Sequence, residues 1–70
     1  MFTVKSVSEE GIYYLVNGWE KNKAFWIEPR KIKSNMLFSS PKFAKASLTK
    51  LLKIAPEYAA DEFELIEVTI

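Results

Sequence analysis

The chain has 70 residues, of which 49% are hydrophobic and 27% are charged, and its formal net charge at pH 7 is +1. This composition favours one folded domain over residues 1–70 and excludes intrinsic disorder. The sequence lacks cysteine and histidine, which excludes a disulfide framework, a thiol nucleophile and most transition-metal sites. It shows neither a secretory signal nor a run of 18 apolar residues, so we expect a cytoplasmic protein that does not enter a membrane.

Two antiparallel strands are predicted at the start of the chain, over residues 2–7 and residues 11–16. Between them, Ser8-Glu9-Glu10-Gly11 is typical of a turn, because glycine readily adopts a positive φ. The second strand is apolar at both alternating positions, so large side chains are expected on both faces of the sheet.

A third strand is predicted over residues 24–28, and two places in the sequence could reverse the chain before it. Asn17-Gly18 is typical of a tight hairpin, and residues 20–23 form a second group of turn-forming residues. We favour a single loop over residues 17–22. After Pro29 ends the strand, an ordered loop is expected up to residue 39.

Residues 41–55 are predicted to form the only substantial helix. Ser40 can cap its first turn, Pro41 suits the first helical position, and Pro56 ends it. Helical periodicity gives this segment an apolar face and a basic face. The apolar face carries Ala44, Leu48, Leu51, Leu52 and Ala55, and the basic face carries Lys42, Lys45, Lys50 and Lys53.

The last strand is predicted over residues 62–70, where the apolar residues change parity. Phe63 and Leu65 occupy one parity and Ile66 begins the other, so a bulge near Leu65 would bring all of them to one face. The element order βββαβ predicts an α+β fold. In it, a three-stranded antiparallel meander gains a final strand that runs parallel to the first, in the spatial order third, second, first, fourth. One helix then covers one face of a four-stranded sheet.

Two segments in the second half of the chain resemble part of a known group of proteins. The segments that carry the resemblance are Phe38-Ser39-Ser40-Pro41-Lys42-Phe43-Ala44, followed by Leu48, and Phe63-Glu64-Leu65-Ile66-Glu67-Val68. They are similar to the closing half of small uncharacterised proteins carried by prophages of Gram-positive bacteria, in which such a helix leads to an acidic strand. The resemblance implies an accessory or regulatory protein and assigns no site residue.

The sequence gives little indication of catalysis. Ser39 and Ser40 are interpreted as helix-capping residues, and the alternating Glu62 and Glu64 as a solvated acidic strand. Only two glycines occur, so a glycine-rich phosphate loop is excluded. We therefore expect no enzyme, no catalytic or metal-binding residue, and no cofactor.

Protein association is the function that the sequence favours. A helix of about 14 residues is about 21 Å long and covers one face of the sheet, so the other face is expected to present aromatic residues. We predict a protein-contact surface there, formed by Tyr13, Tyr14 and Trp26, with a second copy of the chain or another protein as the partner. Alternatively, the loop that contains Met36, Leu37 and Phe38 could cover this face and create a second small core.

Nucleic-acid binding is the alternative function, and it rests on the uneven distribution of charge. Nine lysine or arginine residues and two glutamates lie within residues 20–53, whereas residues 54–70 contain five acids and no base. The basic segment either forms a binding surface or pairs with the acidic end of the chain, and we favour internal pairing. The candidate nucleic-acid contacts are Arg30, Lys31, Lys33, Lys42, Lys45, Lys50 and Lys53, with Trp19 or Trp26 as stacking rings.

Overall fold

A computed structural model describes residues 1–69 and shows a four-stranded antiparallel sheet with one long helix. The strands follow the spatial order β3-β2-β1-β4. The predicted α+β class, the βββαβ order of the main elements and the strand order are confirmed. The strands are β1 (Phe2–Ser8), β2 (Gly11–Leu15), β3 (Trp26–Ile27) and β4 (Glu62–Glu67), and the helices are α1 (Trp19–Asn22) and α2 (Pro41–Ile54). Short 3₁₀ helices span Pro29–Lys31, Ser34–Met36 and Pro56–Ala60.

The long helix α2 begins and ends where the sequence predicts. The Oγ of Ser40 accepts a hydrogen bond from the backbone N–H of Phe43 at 3.2 Å, and Pro41 is the first helical residue. Ala44 and Leu51 are fully buried, and all four lysines of the basic face are exposed. Leu48 was expected to be as buried as Leu51, but it is only half-buried at the edge of the core.

The prediction that the final strand runs parallel to the first is wrong, because β4 pairs antiparallel with β1. The segment between β3 and α2 explains the difference. It returns the chain to the end of the sheet where β1 begins, and there Phe38 and Phe2 exchange backbone hydrogen bonds of 2.7 and 2.9 Å. Helix α2 therefore starts at that end and delivers the chain to the opposite end, from which β4 runs back against β1.

The predicted bulge near Leu65 is also absent. The pairing of β1 with β4 is continuous from Phe2 opposite Glu67 to Val7 opposite Glu62. Consequently Leu65 lies on the face that carries α2, whereas Ile66 lies on the opposite face. An edge strand tolerates this division because it need not bury all of its apolar residues, and Leu65 is 41% exposed. Ile70, which the prediction included in this strand, lies outside the described residues.

The main core lies between α2 and the sheet, and α1 contributes to it. Residues 17–22, predicted as a loop, contain the short helix α1, whose first residue, Trp19, is only 3% exposed. Gly18 precedes this helix at φ 84°, and Lys23 ends it at φ 57°, with its N–H bonded to the Trp19 carbonyl. The buried members of the core are Val4, Leu15, Trp19, Phe38, Ala44, Leu51 and Ala55.

Part of the opposite sheet face is covered by the segment that precedes α2. Thr3, Val16 and Leu37 are buried but lie outside the main core. The hydroxyl of Thr3 donates a hydrogen bond to the Leu15 carbonyl at 2.8 Å. Asn17 fixes the covering segment, since its backbone N–H bonds the Met36 carbonyl at 2.8 Å and its side-chain amide bonds the Leu37 carbonyl at 3.1 Å. The sequence predicted either a protein partner or this loop as the cover of the face opposite α2. The loop covers one end of that face.

None of the helices formed by residues 1–69 combines the length and the apolar character needed to cross a bilayer.

Candidate functional site

A cleft of about 930 Å³ opens on the helix side of the sheet, at the end that carries the turn between β1 and β2. One wall is this turn, and the other wall is the 3₁₀ helix Pro56–Ala60 with the start of β4. We call it the acidic cleft. Its polar and aromatic lining consists of Ser6, Ser8, Glu9, Glu10, Tyr13, Trp26, Glu57, Tyr58, Asp61 and Glu62.

Aromatic rings from separate elements pack against one another beside and within the acidic cleft. Trp26 stacks on Phe63 of β4, with ring centroids 6.0 Å apart and planes 11° apart. The Tyr58 ring packs edge-to-face with Trp26 and with Phe25. The ring centroids are 5.7 Å apart in the first pair and 6.1 Å apart in the second. These contacts hold Trp26 and Tyr58 in fixed positions, so the cleft presents aromatic surface that needs little reorganisation when a ligand binds.

The two tryptophans differ in how their indole N–H groups are satisfied. The Nε1 of Trp19 donates to the Oγ of Ser47 at 2.8 Å, and the Nζ of Lys50 lies 5.9 Å from the centre of the Trp19 ring. The Nε1 of Trp26 is buried and has no hydrogen-bond partner within residues 1–69. Trp19 is thus a core residue, whereas Trp26 joins the core to the cleft.

The charge that lines the acidic cleft is of one sign. Five carboxyl groups line it, and no lysine or arginine among the described residues does so. Asp61 accepts a long hydrogen bond of 3.5 Å from the hydroxyl of Ser6. In the part of the chain that the structure describes, no three acidic side chains lie close enough together to hold a metal ion. The carboxylates instead share the cleft with Tyr13, Trp26 and Tyr58, a combination whose negative charge and ring faces suit organic cations.

The predicted protein-contact residues do not lie on one surface. Trp26 pairs with Leu15 in the sheet, which places Trp26 on the helix side, and Tyr13 shares that side because it pairs with Ser6. Tyr14 lies on the opposite face, between Lys5 and Ile27. The expectation that Trp26 lies on the face opposite α2 is therefore wrong. Directly paired residues point to the same face of a sheet, and Trp26 pairs with the buried Leu15.

The predicted nucleic-acid contacts differ in their surroundings. Lys42, Lys45 and Lys53 are exposed on α2, and none of them forms an ion pair within residues 1–69. Arg30 and Lys31 instead bind Glu28, at 3.1 and 3.6 Å.

Lys33 is exposed, and Lys50 lies over the Trp19 ring.

The hydrogen bond from Arg30, reinforced by the charge of Lys31, holds the pKa of Glu28 below its ordinary value of 4.5. Among residues 1–69, the favoured pairing of the basic segment with the acidic end is not observed. The ion pair that reaches β4 in the described structure comes from Lys5, which binds Glu64 at 3.3 Å.

The sequence-based prediction missed Glu57, Tyr58 and Asp61 as members of a site. Their local signal was a tyrosine within an acidic segment, which is equally typical of a solvated connection. What brings them to Tyr13 and Trp26 is the antiparallel return of β4, and this return was predicted in the opposite direction. No known protein family, curated protein or solved structure matches the chain.

Proposed function

We propose that this protein is a small, non-catalytic cytoplasmic accessory protein that binds another protein through the acidic cleft. The partner's contribution is a segment rich in lysine or arginine. The observation that carries the proposal is the combination of five carboxyl groups with Tyr13, Trp26 and Tyr58 in one open cleft.

Each component of the cleft suits a cationic side chain. An ammonium or guanidinium group over an aromatic ring gains about 0.5 to 2 kcal/mol, depending on how far it is desolvated. The surrounding carboxylates add charge complementarity, which raises the association rate and disfavours acidic partners. Because the aromatic rings are already packed against one another, binding costs little side-chain entropy.

The open walls of the cleft, rather than its volume, favour a chain segment over a small molecule. At about 930 Å³ it lies near the upper end of the range of about 300 to 1,000 Å³ that is typical of ligand pockets. Its walls are the turn between β1 and β2 and the 3₁₀ helix Pro56–Ala60, which leave it open to solvent for an extended peptide.

Calorimetric titration with two short peptides of equal length, one rich in lysine and one rich in glutamate, tests the proposal. We expect the lysine-rich peptide to bind with an affinity that falls as salt is added, and the glutamate-rich peptide not to bind. Failure of the lysine-rich and an arginine-rich peptide alike to bind would contradict the proposal.

A matched pair of double variants locates the binding surface. Glu10 and Glu57 are exposed on opposite walls of the cleft, and changing both to lysine should weaken peptide binding about tenfold or more. Glu20→Lys with Glu67→Lys makes the same change in net charge at exposed positions outside the cleft. Equal weakening by both double variants would show that total charge, rather than the cleft, attracts the peptide.

Nucleic-acid binding remains the second candidate because the lysines of α2 are exposed and unpaired in the described structure. We expect any such binding to use Lys42, Lys45 and Lys53 and to weaken steeply with salt. Titration of labelled DNA at two salt concentrations, with Lys42→Glu/Lys53→Glu as the variant, measures it. Unchanged DNA affinity in this variant would exclude the helix as the contact surface.

A further inference from the structure

Strand β4 forms one edge of the sheet, and its backbone alternates between two directions. The N–H of Val68 donates to the Met1 carbonyl at 2.8 Å, so Val68, Ile66 and Glu64 turn their backbone groups toward β1. The groups of Phe63, Leu65 and Glu67 therefore point away from the sheet. In the strand order β3-β2-β1-β4, nothing else in the described chain pairs with this edge.

We propose that this edge pairs antiparallel with the same edge of a second copy of the chain, with Leu65 opposite Leu65 at the two-fold axis. In this register Phe63 of one copy lies opposite Glu67 of the other. The pairs formed by Phe63, Leu65 and Glu67 use the outward-pointing backbone groups on both strands. The two sheets then become one continuous sheet with both α2 helices on the same side.

The distribution of carboxylates along β4 is what selects a second copy in this register. Glu64 lies opposite Ile66, and Glu62 lies opposite Val68, so no two glutamates face each other directly. Sliding the strands by two residues toward the start of β4 would place Glu64 opposite Glu64, which like-charge repulsion disfavours. Sliding them the other way would leave only residues 65–67 of each β4 paired with the other strand, instead of residues 63–67.

The exposure of Leu65 agrees with this position at the two-fold axis. Leu65 lies on the helix side of the sheet and is 41% exposed, next to an edge that no other strand covers. Pairing across the axis would bring two leucine side chains together and remove apolar surface from water. Among the cleft residues only Glu62 belongs to β4, so the two surfaces meet at the start of that strand and Leu65 lies outside the cleft.

Sedimentation equilibrium over a range of concentrations tests the inference, with Leu65→Lys as the variant. The wild type should form dimers, and Leu65→Lys should weaken self-association about tenfold or more, because it places like charges opposite each other. Ile12→Lys is the matched control, since Ile12 is 48% exposed on β2, away from this edge. It should leave self-association unchanged.

A second measurement does not depend on how the lysine variant folds. The chain contains no cysteine, so Leu65→Cys introduces a single thiol at the proposed axis. A short bismaleimide should join two Leu65→Cys chains efficiently and two Ile12→Cys chains poorly. A wild type that remains monomeric at every concentration, a dimer insensitive to Leu65→Lys, or equal cross-linking of the two cysteine variants would each overturn the inference.

Discussion

The two ends of the helix-side sheet face differ although they belong to the same strands. At the end where β1 begins, Val4 and Leu15 pack beneath α2 against Ala44 and Leu51, and all four are buried. At the end that carries the turn between β1 and β2, the same face presents serines and aromatic residues to the acidic cleft.

The difference follows from where α2 ends and from what replaces it. Pro56 stops the helix, and the short 3₁₀ helix that follows stands beside the sheet with Tyr58 turned toward Trp26. Beyond α2, Ser8 and Tyr13 therefore remain partly exposed, whereas Ser6 is buried. A single helix-termination signal thus divides one sheet face into the main core and the acidic cleft.

The largest effect is expected at the end of the sheet that α2 covers, from Leu51→Ala. Leu51 is fully buried, so the substitution should reduce the free energy of unfolding by about 2 to 5 kcal/mol. Leu48→Ala is the control: Leu48 is half-buried, and we expect a loss of about 1 kcal/mol. Urea unfolding measures both, and a larger loss for Leu48→Ala would show that α2 is rotated relative to the structure described.

An intermediate effect is expected at the end of the sheet that carries the acidic cleft, from Tyr58→Ala. The variant loses edge contacts with Phe25 and Trp26, which should reduce the free energy of unfolding by about 1 to 3 kcal/mol. It should also weaken binding of the lysine-rich peptide. Tyr58→Phe keeps the ring and should change neither quantity by much. If Tyr58→Ala were as stable as the wild type, the ring packing that forms the cleft floor would be wrong.

A small effect is expected on the solvent side of α2. Lys45 is exposed and forms no ion pair in the described structure, so Lys45→Ala should change the free energy of unfolding by less than about 0.5 kcal/mol. Urea unfolding beside Leu51→Ala gives the comparison directly. A loss in Lys45→Ala comparable to that in Leu51→Ala would contradict the assignment of core and solvent faces.

The smallest effect concerns Glu28, which lies away from both ends of α2. In Arg30→Ala the pKa of Glu28 should rise toward 4.5, because its strongest hydrogen bond is lost. A lowered pKa means that ionised Glu28 stabilises the fold above its unfolded pKa. This contribution is lost as the pH falls through the lower, folded pKa. Carboxyl titration by nuclear magnetic resonance measures the shift, and an unchanged pKa would exclude Arg30 as its cause.

The elements that depend on neighbouring residues were predictable from the sequence. Ser40, Pro41 and Pro56 specify the ends of α2 through hydrogen bonding and steric restriction, and these act within one helical turn. The turn between β1 and β2 was equally local, with Gly11 at φ 131°. The strand order was predicted from the antiparallel meander and a helical crossover that returns β4 beside β1, although that crossover was expected to make the two strands parallel.

The direction of β4 and the membership of the cleft were not predictable in this way. Both depend on the path of the segment between β3 and α2, which Phe38 fixes by pairing with Phe2, far away in the sequence. The sheet face on which Trp26 lies was ambiguous, because β2 and β3 are apolar at both alternating positions. Only the pairing of Trp26 with Leu15 assigns it to the helix side. Trp19 was predicted to lie in a loop, whereas it is a buried residue of α1. A helix of four residues is too short to show helical periodicity in the sequence.

The two indole N–H signals in a nitrogen–proton correlation spectrum provide the most direct measurement of the proposed function. Trp26 lines the acidic cleft, whereas the Trp19 indole is bonded to Ser47 in the core. When the lysine-rich peptide is added, the Trp26 signal should shift progressively and the Trp19 signal should stay in place. A spectrum in which neither signal moves at saturating peptide, or in which Trp19 moves and Trp26 does not, would contradict binding in the acidic cleft.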